Sequence, residues 1–476
     1  MRVVGLRLLA PLFWIAAATA QIPSFQHVVV IVQENRTPDN LFHGLCVAPT
    51  PHSCSTTPTN EQYNIQMKNW LDKTSPTGVT QPSPVGLAAK YDLSHTHSAF
   101  IAMCDLDKTK HVCRNDGAAG VTCSQTCPTQ PQFRYVDNST GIVNPYLDMA
   151  EQYGWANYMF QTNQGPSFPA HQFLFGGTSA PSSADDAAGT FAAENMTDSG
   201  TTGVSTGAGC TVPAGTTVEV VDTTGENQKI YPCFEHQTMV DLLPSFVSWR
   251  YYTPNATSIW TAPNAIAHLC QSTGPGGKCR ATEWVDNVDL TNAAVLKDIA
   301  ACKLRSVSWV IPTGVNSDHA DINDGGGPSW VASIVNAIGN SSSCDGNTGY
   351  WNDTAIFILW DDWGGWYDHE PPTILPGAQG DYQYGFRVPL VVVSAYTPQA
   401  YIDNTRHDFG SILRFIEHNF NLPMGGLDFA DARAKSDLVS FFDLTSKPRT
   451  FQTISAPKNA AFFLNDTRPA TDPDDN

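Results

Sequence analysis

The chain has 476 residues, 41% of them hydrophobic, with 26 basic against 45 acidic side chains and a net charge of −19. That length supports one large domain or two to three smaller ones. The acidic balance excludes non-specific docking on nucleic acid or on an anionic membrane, and leaves room for a pocket made locally positive by a bound cation.

Residues 1–20 read as a secretory signal peptide. Arg2 and Arg7 open it, Leu8 to Ala18 is apolar, and Ala18-Thr19-Ala20 is a small-x-small cleavage site. The apolar run is shorter than the ~20 residues of a membrane span, and no later stretch is longer, so no transmembrane segment is expected. The expected location is secreted or periplasmic. All 12 cysteines lie beyond the signal, as disulfides in an oxidising compartment would. Cys46–Cys54, Cys210–Cys233 and Cys270–Cys279 are candidate local pairs. Cys104, Cys113, Cys123 and Cys127 admit a zinc reading, although their spacings are wide and contain no CxxC pair.

Gln26 to Gln33 (QHVVVIVQ) is a continuous β-branched run, the pattern of a buried parallel strand. Tyr146 to Tyr153 has helical spacing and precedes an aromatic segment, Trp155 to Phe160. A Gly/Pro-rich turn follows at 163–169. Residues 178–228 are rich in Ser, Thr, Gly and Ala and read as a loop-rich surface insertion. Thr238 to Leu243 reads as a helix, Val247 to Tyr252 and Val307 to Ile311 as strands. Ser329 to Ile338 reads as a helix with Ser329 as N-cap. Ala355 to Trp360 and Val388 to Ser394 read as strands, and Phe409 to Asn419 as a helix. The catalytic domain is expected over 21–460, and 461–476 as an acidic, disordered tail. Strands alternating with helices predict an α/β sandwich, a largely parallel central sheet flanked by helices.

In such sheets ligands bind beyond the carboxyl ends of the strands. Glu34 and Asn35 follow the first strand, and Asp361 and Asp362 follow Ala355 to Trp360. These are hard oxygen donors suited to one divalent cation, which would also offset their mutual repulsion. Asp361 and Asp362 reach one ion only if the strand breaks there, as Gly364 and Gly365 allow. Oxygen ligation leaves the metal open among Ca²⁺, Mg²⁺, Mn²⁺ and iron. Ser167, in Gly165-Pro166-Ser167-Phe168-Pro169, suits a nucleophile activated by an adjacent metal. His95, His97 and His319 are candidate phosphate donors or general acids, with Asp318 beside His319. His95 and His97 would face one side of a strand. His369 reads as a structural partner of a neighbouring loop. His236, His268 and His407 carry no assigned role.

In order along the chain stand HVVVIVQENRTPDNLF (27–42), YDLSHTHSAF (91–100), YLDMAEQYGWANYMFQTNQGPSFPAHQFLFGGTS (146–179) and FEHQTMVDLLPSFVSWRYY (234–252). SDHADINDGGGPSWVASIVNAI (317–338), TAIFILWDDWGGWYDHEPP (354–372), YGFRVPLVVVSAY and FGSILRFIEHNF follow. Together they resemble the bacterial phosphoesterase family of acid phosphatases and non-zinc phospholipases C, within the alkaline phosphatase superfamily. The resemblance covers most of residues 25–422. It implies Glu34, Asn35, Asp361 and Asp362 as metal ligands, and Ser167 as nucleophile at the metal. It implies His95 and His319 as phosphate contacts, with Asn35 close to the phosphate. Two departures bear on substrate choice. Glu-Asn-Arg-Thr-Pro-Asp stands where the family commonly has Glu-Asn-Arg-Ser-Phe-Asp, and Asp-Asp-Trp-Gly-Gly where it has Asp-Glu-His-Gly-Gly. Ala170-His171-Gln172 also departs from the family's usual run after the nucleophile. The expectation is a metal-dependent hydrolase of phosphate esters working through a phosphoserine. Acid-phosphatase action on monoesters ranks first and phospholipase C action on phospholipid diesters second, because the chain ends soon after Phe409 to Asn419. A catalytically dead, disulfide-rich binding protein is the reading from another class.

Overall fold

Every residue of β1 (His27–Gln33) is buried, as expected where both faces of a parallel strand are covered. The computed structural model describes residues 24–47, 49–110, 112–197, 207–222, 224–344, 348–372 and 384–470. The signal peptide at 1–20 lies outside them. In it β1 sits inside an eight-stranded sheet. The others are β2 (Gly154–Phe160), β3 (Trp249–Tyr252), β4 (Val288–Asp289), β5 (Val307–Val310), β6 (Thr354–Trp360), β7 (Leu390–Val393) and β8 (Tyr401–Asp408). The order is β4-β3-β5-β1-β6-β7-β2-β8. Only β7 runs against its neighbours β6 and β2; the other pairings are parallel. The molecule is α/β, with a large mixed sheet whose strands are mainly parallel.

Helices cover both faces. Phe357 of β6 packs edge-on against Phe415 of the helix Phe409–Asn419, and Trp360 against Tyr146 of the helix Asn144–Gln152. Phe357 and Trp360 are three residues apart in one strand, so they point to opposite faces.

The helix over the expected Ser329 to Ile338 begins earlier, at Gly327, with Pro328 in its first turn. Proline there lacks only an N–H that no helical partner would take. Ser329 therefore lies inside the helix, and its hydroxyl accepts from the Lys458 N–H.

The stretch 178–228 is less loop-like than its composition suggests. Ser183–Ala188 is helical, and Phe191–Thr197, Thr217–Asp222 and Gly225–Ile230 form an antiparallel sheet. Phe191, Ala193, Met196, Val218 and Val220 are buried in the main core. These few apolar residues are diluted by Ser, Thr and Gly, which hides the strand signal. Residues 198–206 lie outside the described set. The C-terminal stretch also docks further than expected. Phe463, in the helix Ala460–Leu464, packs on Trp330, and Arg468 pairs with Asp324 and Asp466. Residues 471–476 of the expected tail lie outside the described residues.

The 12 cysteines form six disulfides: Cys46–Cys54, Cys104–Cys113, Cys123–Cys127, Cys210–Cys233, Cys270–Cys279 and Cys302–Cys344. This overturns the zinc reading of Cys104, Cys113, Cys123 and Cys127, since no thiolate is left to ligate. Such use of cysteine fits an oxidising compartment. Among the described residues no helix is long and apolar enough to cross a membrane.

Asp408 closes β8 and caps the helix Phe409–Asn419. Its carboxylate accepts from Thr162 and Ser411 hydroxyls, and its N–H donates to Ser411 Oγ. Burial pushes it up to about 6 from an ordinary 3.8. An acid raised in the folded state contributes stability below its unfolded pKa, and that contribution is lost as pH rises through the folded value. Asp408→Asn should therefore lose less stability than wild type between pH 4 and 7. The difference should be on the order of 2–3 kcal/mol, read from urea unfolding at both pH values.

Candidate active site

The carboxyl ends of β1, β2, β5 and β6 open onto one place. β1 and β6 are in register with Gln33 opposite Trp360, so Glu34 and Asp361 leave the sheet side by side. Asn35 then takes φ 62°, a left-handed conformation that asparagine tolerates better than most residues. Its N–H donates to Asp361 Oδ1, and its side-chain amide meets His95 Nε2 at 3.3 Å.

The strand does break after Asp362. Gly364 and Gly365 have φ 61° and 72°. A Cβ on Gly364 would lie 2.5 Å from the Asn35 carbonyl oxygen, and one on Gly365 2.5 Å from Leu93 Cβ. The two glycines thus let three segments, 34–36, 93–95 and 361–365, close on one another. Any side chain at 364 would push the backbone there away from Asn35.

Ser167 is the first residue of a ten-residue helix ending at Gly176, with Pro166 as its extended N-cap. Its hydroxyl donates to Asp362 Oδ2 at 3.3 Å, while Asp362 Oδ1 accepts from the Gly364 N–H at 2.7 Å. The turn before it is held from outside. A Cβ on Gly165 would lie 2.1 Å from the Ala193 carbonyl, and Asn195 Oδ1 accepts from the Phe168 N–H. Both partners sit on Phe191–Thr197, so the 178–228 stretch supports the turn that carries Ser167. Gln164, three residues before Ser167, lines a cavity of about 470 Å³ with His97, Phe100 and Tyr384.

The two candidate phosphate histidines meet at this place, their rings 5.8 Å apart. His95 Nδ1 is bonded to the Leu93 carbonyl at 2.9 Å, and His319 Nδ1 to the Ala320 carbonyl at 2.7 Å. A carbonyl only accepts, so both rings carry a proton on Nδ1 and work through Nε2. His97 does not pair with His95. It begins the helix His97–Cys104, and its Nδ1 donates to the Gln164 carbonyl. The sheet alternation invoked for 95 and 97 fails because the strand ends at Leu93.

Asp318 is a strut. Its Oδ2 accepts from Tyr146 and Trp360, its carbonyl takes two bonds from Arg36, and burial pushes its carboxyl up to about 6. Arg36 is fully buried over the Trp366 ring. It ties the end of β1 to the His319 loop, a role its place after Glu34-Asn35 did not announce. Trp363, which stands where the family commonly has His, is buried against His95, Phe100 and Phe386. His369 bonds Asp39 at 2.7 Å, as its structural reading expected. His268 pairs with Glu235 and Asp241, and His407 with Asp403, away from these residues.

One residue was missed. His171 lies one helical turn after Ser167, with Nε2 3.4 Å from Glu34 Oε1 and 3.8 Å from Asp361 Oδ2. Glu34, His171 and Asp361 form a buried group whose ligand atoms all lie within 4.8 Å of one another. The signal was the Ser-x-x-x-His spacing, which puts both side chains on one helix face once the helix is known to start at Ser167.

Glu34, Asn35, Asp361, Asp362 and Ser167 are all fully buried. Asn35 Oδ1 and Asp361 Oδ2 have no hydrogen-bond partner among the described residues. Burial, then the Asp361 charge, holds Asp362 well above the usual carboxylate range. Three carboxylates gathered without solvent, and buried oxygens left over, fit a divalent cation, whose charge would reverse that shift.

A family model described as the Phosphoesterase family matches residues 25–423. Phospholipase C A of Mycobacterium tuberculosis (strain ATCC 25618 / H37Rv) is 27% identical over 173 residues, 32% of each chain. The hemolytic phospholipase C of Pseudomonas aeruginosa is 23% identical over 466 residues, 89% of this chain and 57% of that protein. The non-specific phospholipase C6 of Arabidopsis thaliana is 25% identical over 210 residues, 38% of each chain. The chain thus spans about a third to somewhat over half of the length of these relatives. A solved protein of the alkaline phosphatase superfamily from Vibrio parahaemolyticus is similar at TM-score 0.31 and 12% identity, over 59% of this chain and 60% of that one. That likeness is too slight to carry an argument, and the α/β assignment rests on the sheet itself. With the family model running from the start of β1 to beyond the helix Phe409–Asn419, the chain belongs to the Phosphoesterase family.

Proposed function

We propose that this protein is an exported, metal-dependent hydrolase of phosphate esters that works through a phosphoserine at Ser167. The observation that carries this reading is the Ser167 hydroxyl donating to Asp362 at the edge of the buried Glu34–Asn35–Asp361 cluster. Glu34, Asn35, Asp361 and Asp362 would hold the cation, with Ser167 beside it. When bound, a divalent cation supplies positive charge that lowers the serine's pKa and offsets charge on the phosphoryl oxygens.

The chain's own residues do the rest. Ser167 passes its proton to Asp362, and its Oγ bonds to phosphorus as the bond from phosphorus to the ester oxygen breaks. The helix that Ser167 begins presents its N-terminal end to the phosphoryl group. His319 or His95, protonated on both ring nitrogens, delivers its Nε2 proton to the departing alkoxide. The same imidazole then takes a proton from water as water attacks the phosphoserine, and Asp362 returns its proton to Ser167 Oγ as phosphate is released. The cavity beside Gln164 has both apolar and polar walls, which suits the alcohol portion of an ester.

Monoesters are the first substrate class, and phospholipid diesters the second, favoured by the phospholipases C among the relatives. Comparing para-nitrophenyl phosphate, para-nitrophenyl phosphorylcholine and phosphatidylcholine separates them. Chelator treatment should abolish turnover of whichever ester is cleaved, and added divalent metal should restore it. Full activity in a metal-stripped preparation would refute the metal assignment. A folded, metal-loaded protein that turns over none of the three would favour the binding-protein reading.

A further inference from the structure

We infer that His171 is a nitrogen ligand in the metal site, so that the site prefers a transition-metal ion to Ca²⁺ or Mg²⁺. This rests on the metal reading above and deepens it.

The distances come first. His171 Nε2 lies 3.4 Å from Glu34 Oε1 and 3.8 Å from Asp361 Oδ2. An N–H donating directly to a carboxylate sits closer, at about 2.7–2.9 Å. Two ligand atoms each about 2.1 Å from one ion, at tetrahedral to octahedral angles, stand about 3.0–3.5 Å apart. The Glu34 spacing is that of two donors around an ion, and the Asp361 spacing is about 0.3 Å wider than that range.

The tautomer agrees. His171 Nδ1 faces the Tyr251 hydroxyl at 3.5 Å. That hydroxyl spends its one proton on the Trp260 carbonyl, at 2.7 Å. Toward His171 it can only accept, so the ring proton sits on Nδ1 and the Nε2 lone pair faces the two carboxylates. A neutral ring so oriented aims its Nε2 lone pair toward both carboxylates, an arrangement that a cation among them stabilises. Ligating histidines commonly donate their other N–H in this way, which fixes the ring.

The placement agrees as well. His171 is 1% exposed and one turn from Ser167, so one helix carries both the nucleophile and the nitrogen donor. An oxygen-only site suits Ca²⁺, Mg²⁺ and Mn²⁺, whereas an added imidazole shifts preference toward iron, cobalt or zinc. Tyr251 is then a positioning residue that acts through His171.

The test uses the full mature chain, stripped with chelator and loaded with Co²⁺ or with Mg²⁺ alone. Wild type should show imidazole scattering in the cobalt X-ray absorption spectrum. His171→Gln should lose that signature and weaken Co²⁺ binding about a hundredfold, while Mg²⁺ affinity changes less than about threefold. Tyr251→Phe should keep the signature and weaken Co²⁺ about tenfold, which supplies a reading should His171→Gln fail to fold. Imidazole scattering and Co²⁺ affinity unchanged in His171→Gln, or Tyr251→Phe binding Co²⁺ like wild type, would overturn the inference. Glu34→Gln separates the two levels. If it binds both metals like wild type, the metal site itself is wrong; if it loses both while His171→Gln loses neither, only the histidine assignment fails.

Discussion

Ser167→Ala is expected to leave less than about 1% of wild-type kcat/KM on the preferred ester, with the fold intact. The substitution removes one hydroxyl and one hydrogen bond, that to Asp362 Oδ2. Asp362 keeps the Gly364 N–H on its other oxygen, and Asn35 and Asp362 N–H groups still bond Asp361 Oδ1. Alanine is a good helix former, so the helix should still start at 167. Glu34, Asn35 and Asp361 should still bind the cation. Activity loss with retained metal and an unfolding midpoint within a few degrees would assign the loss to chemistry. More than a few percent residual activity in metal-loaded Ser167→Ala would mean that Ser167 is not the nucleophile.

Arg387→Leu is expected to cost about 3–5 kcal/mol of stability. The guanidinium is fully buried and forks onto Asp368, with Nε–Oδ1 and Nη2–Oδ2 both at 3.0 Å. It also reaches Asp39 at 3.5 Å and donates to the Asn64 and Asn157 carbonyls. One side chain therefore ties the segment after β1, the segment after β6 and strand β2. Leucine would leave Asp39 and Asp368 facing each other without the guanidinium. Burial already pushes Asp368 up to about 6 against the pull of Arg387. Without that pull its folded pKa rises further, so the variant should lose more stability than wild type as pH climbs from 5 to 8. Arg387→Lys should recover little, because an ammonium cannot form the fork. Urea unfolding at pH 5 and 8 checks both points. A cost below about 1 kcal/mol would show that water replaces the guanidinium.

The group Asp39, Asp368 and His369 has the spacing of a metal site. Arg387 supplies its positive partner, and Asp39 is also bonded to His369 Nδ1. Similar acidic clusters thus resolve differently: one is neutralised by an arginine, while at the other Asn35 Oδ1 and Asp361 Oδ2 have no hydrogen-bond partner among the described residues.

Much of the site was legible because strands β1 and β6 are unbroken apolar runs and the polar residues after them are few. Their adjacency in the sheet then brings Glu34 to Asp361. The reversed direction of β7 was not legible, because an apolar run carries no sign of its direction. The sheet within 178–228 was hidden by small polar residues, yet it shoulders the Gly165 turn through Ala193 and Asn195. His171 was hidden for another reason. Its meaning depends on where the helix begins, and a Gly-Pro-Ser turn alone does not place that start. The buried arginines 36 and 387 act through partners distant in the chain, which local pattern cannot name.

The central claim is a covalent phosphoserine, and acid-quenched turnover tests it most directly. Metal-loaded enzyme mixed with excess substrate and quenched within one turnover should carry phosphate on the peptide containing Ser167 by mass spectrometry. The label should vanish in Ser167→Ala and in chelated wild type. Turnover without phosphate on Ser167 under quenching that preserves phosphoserine, or with phosphate on another residue, would contradict the account.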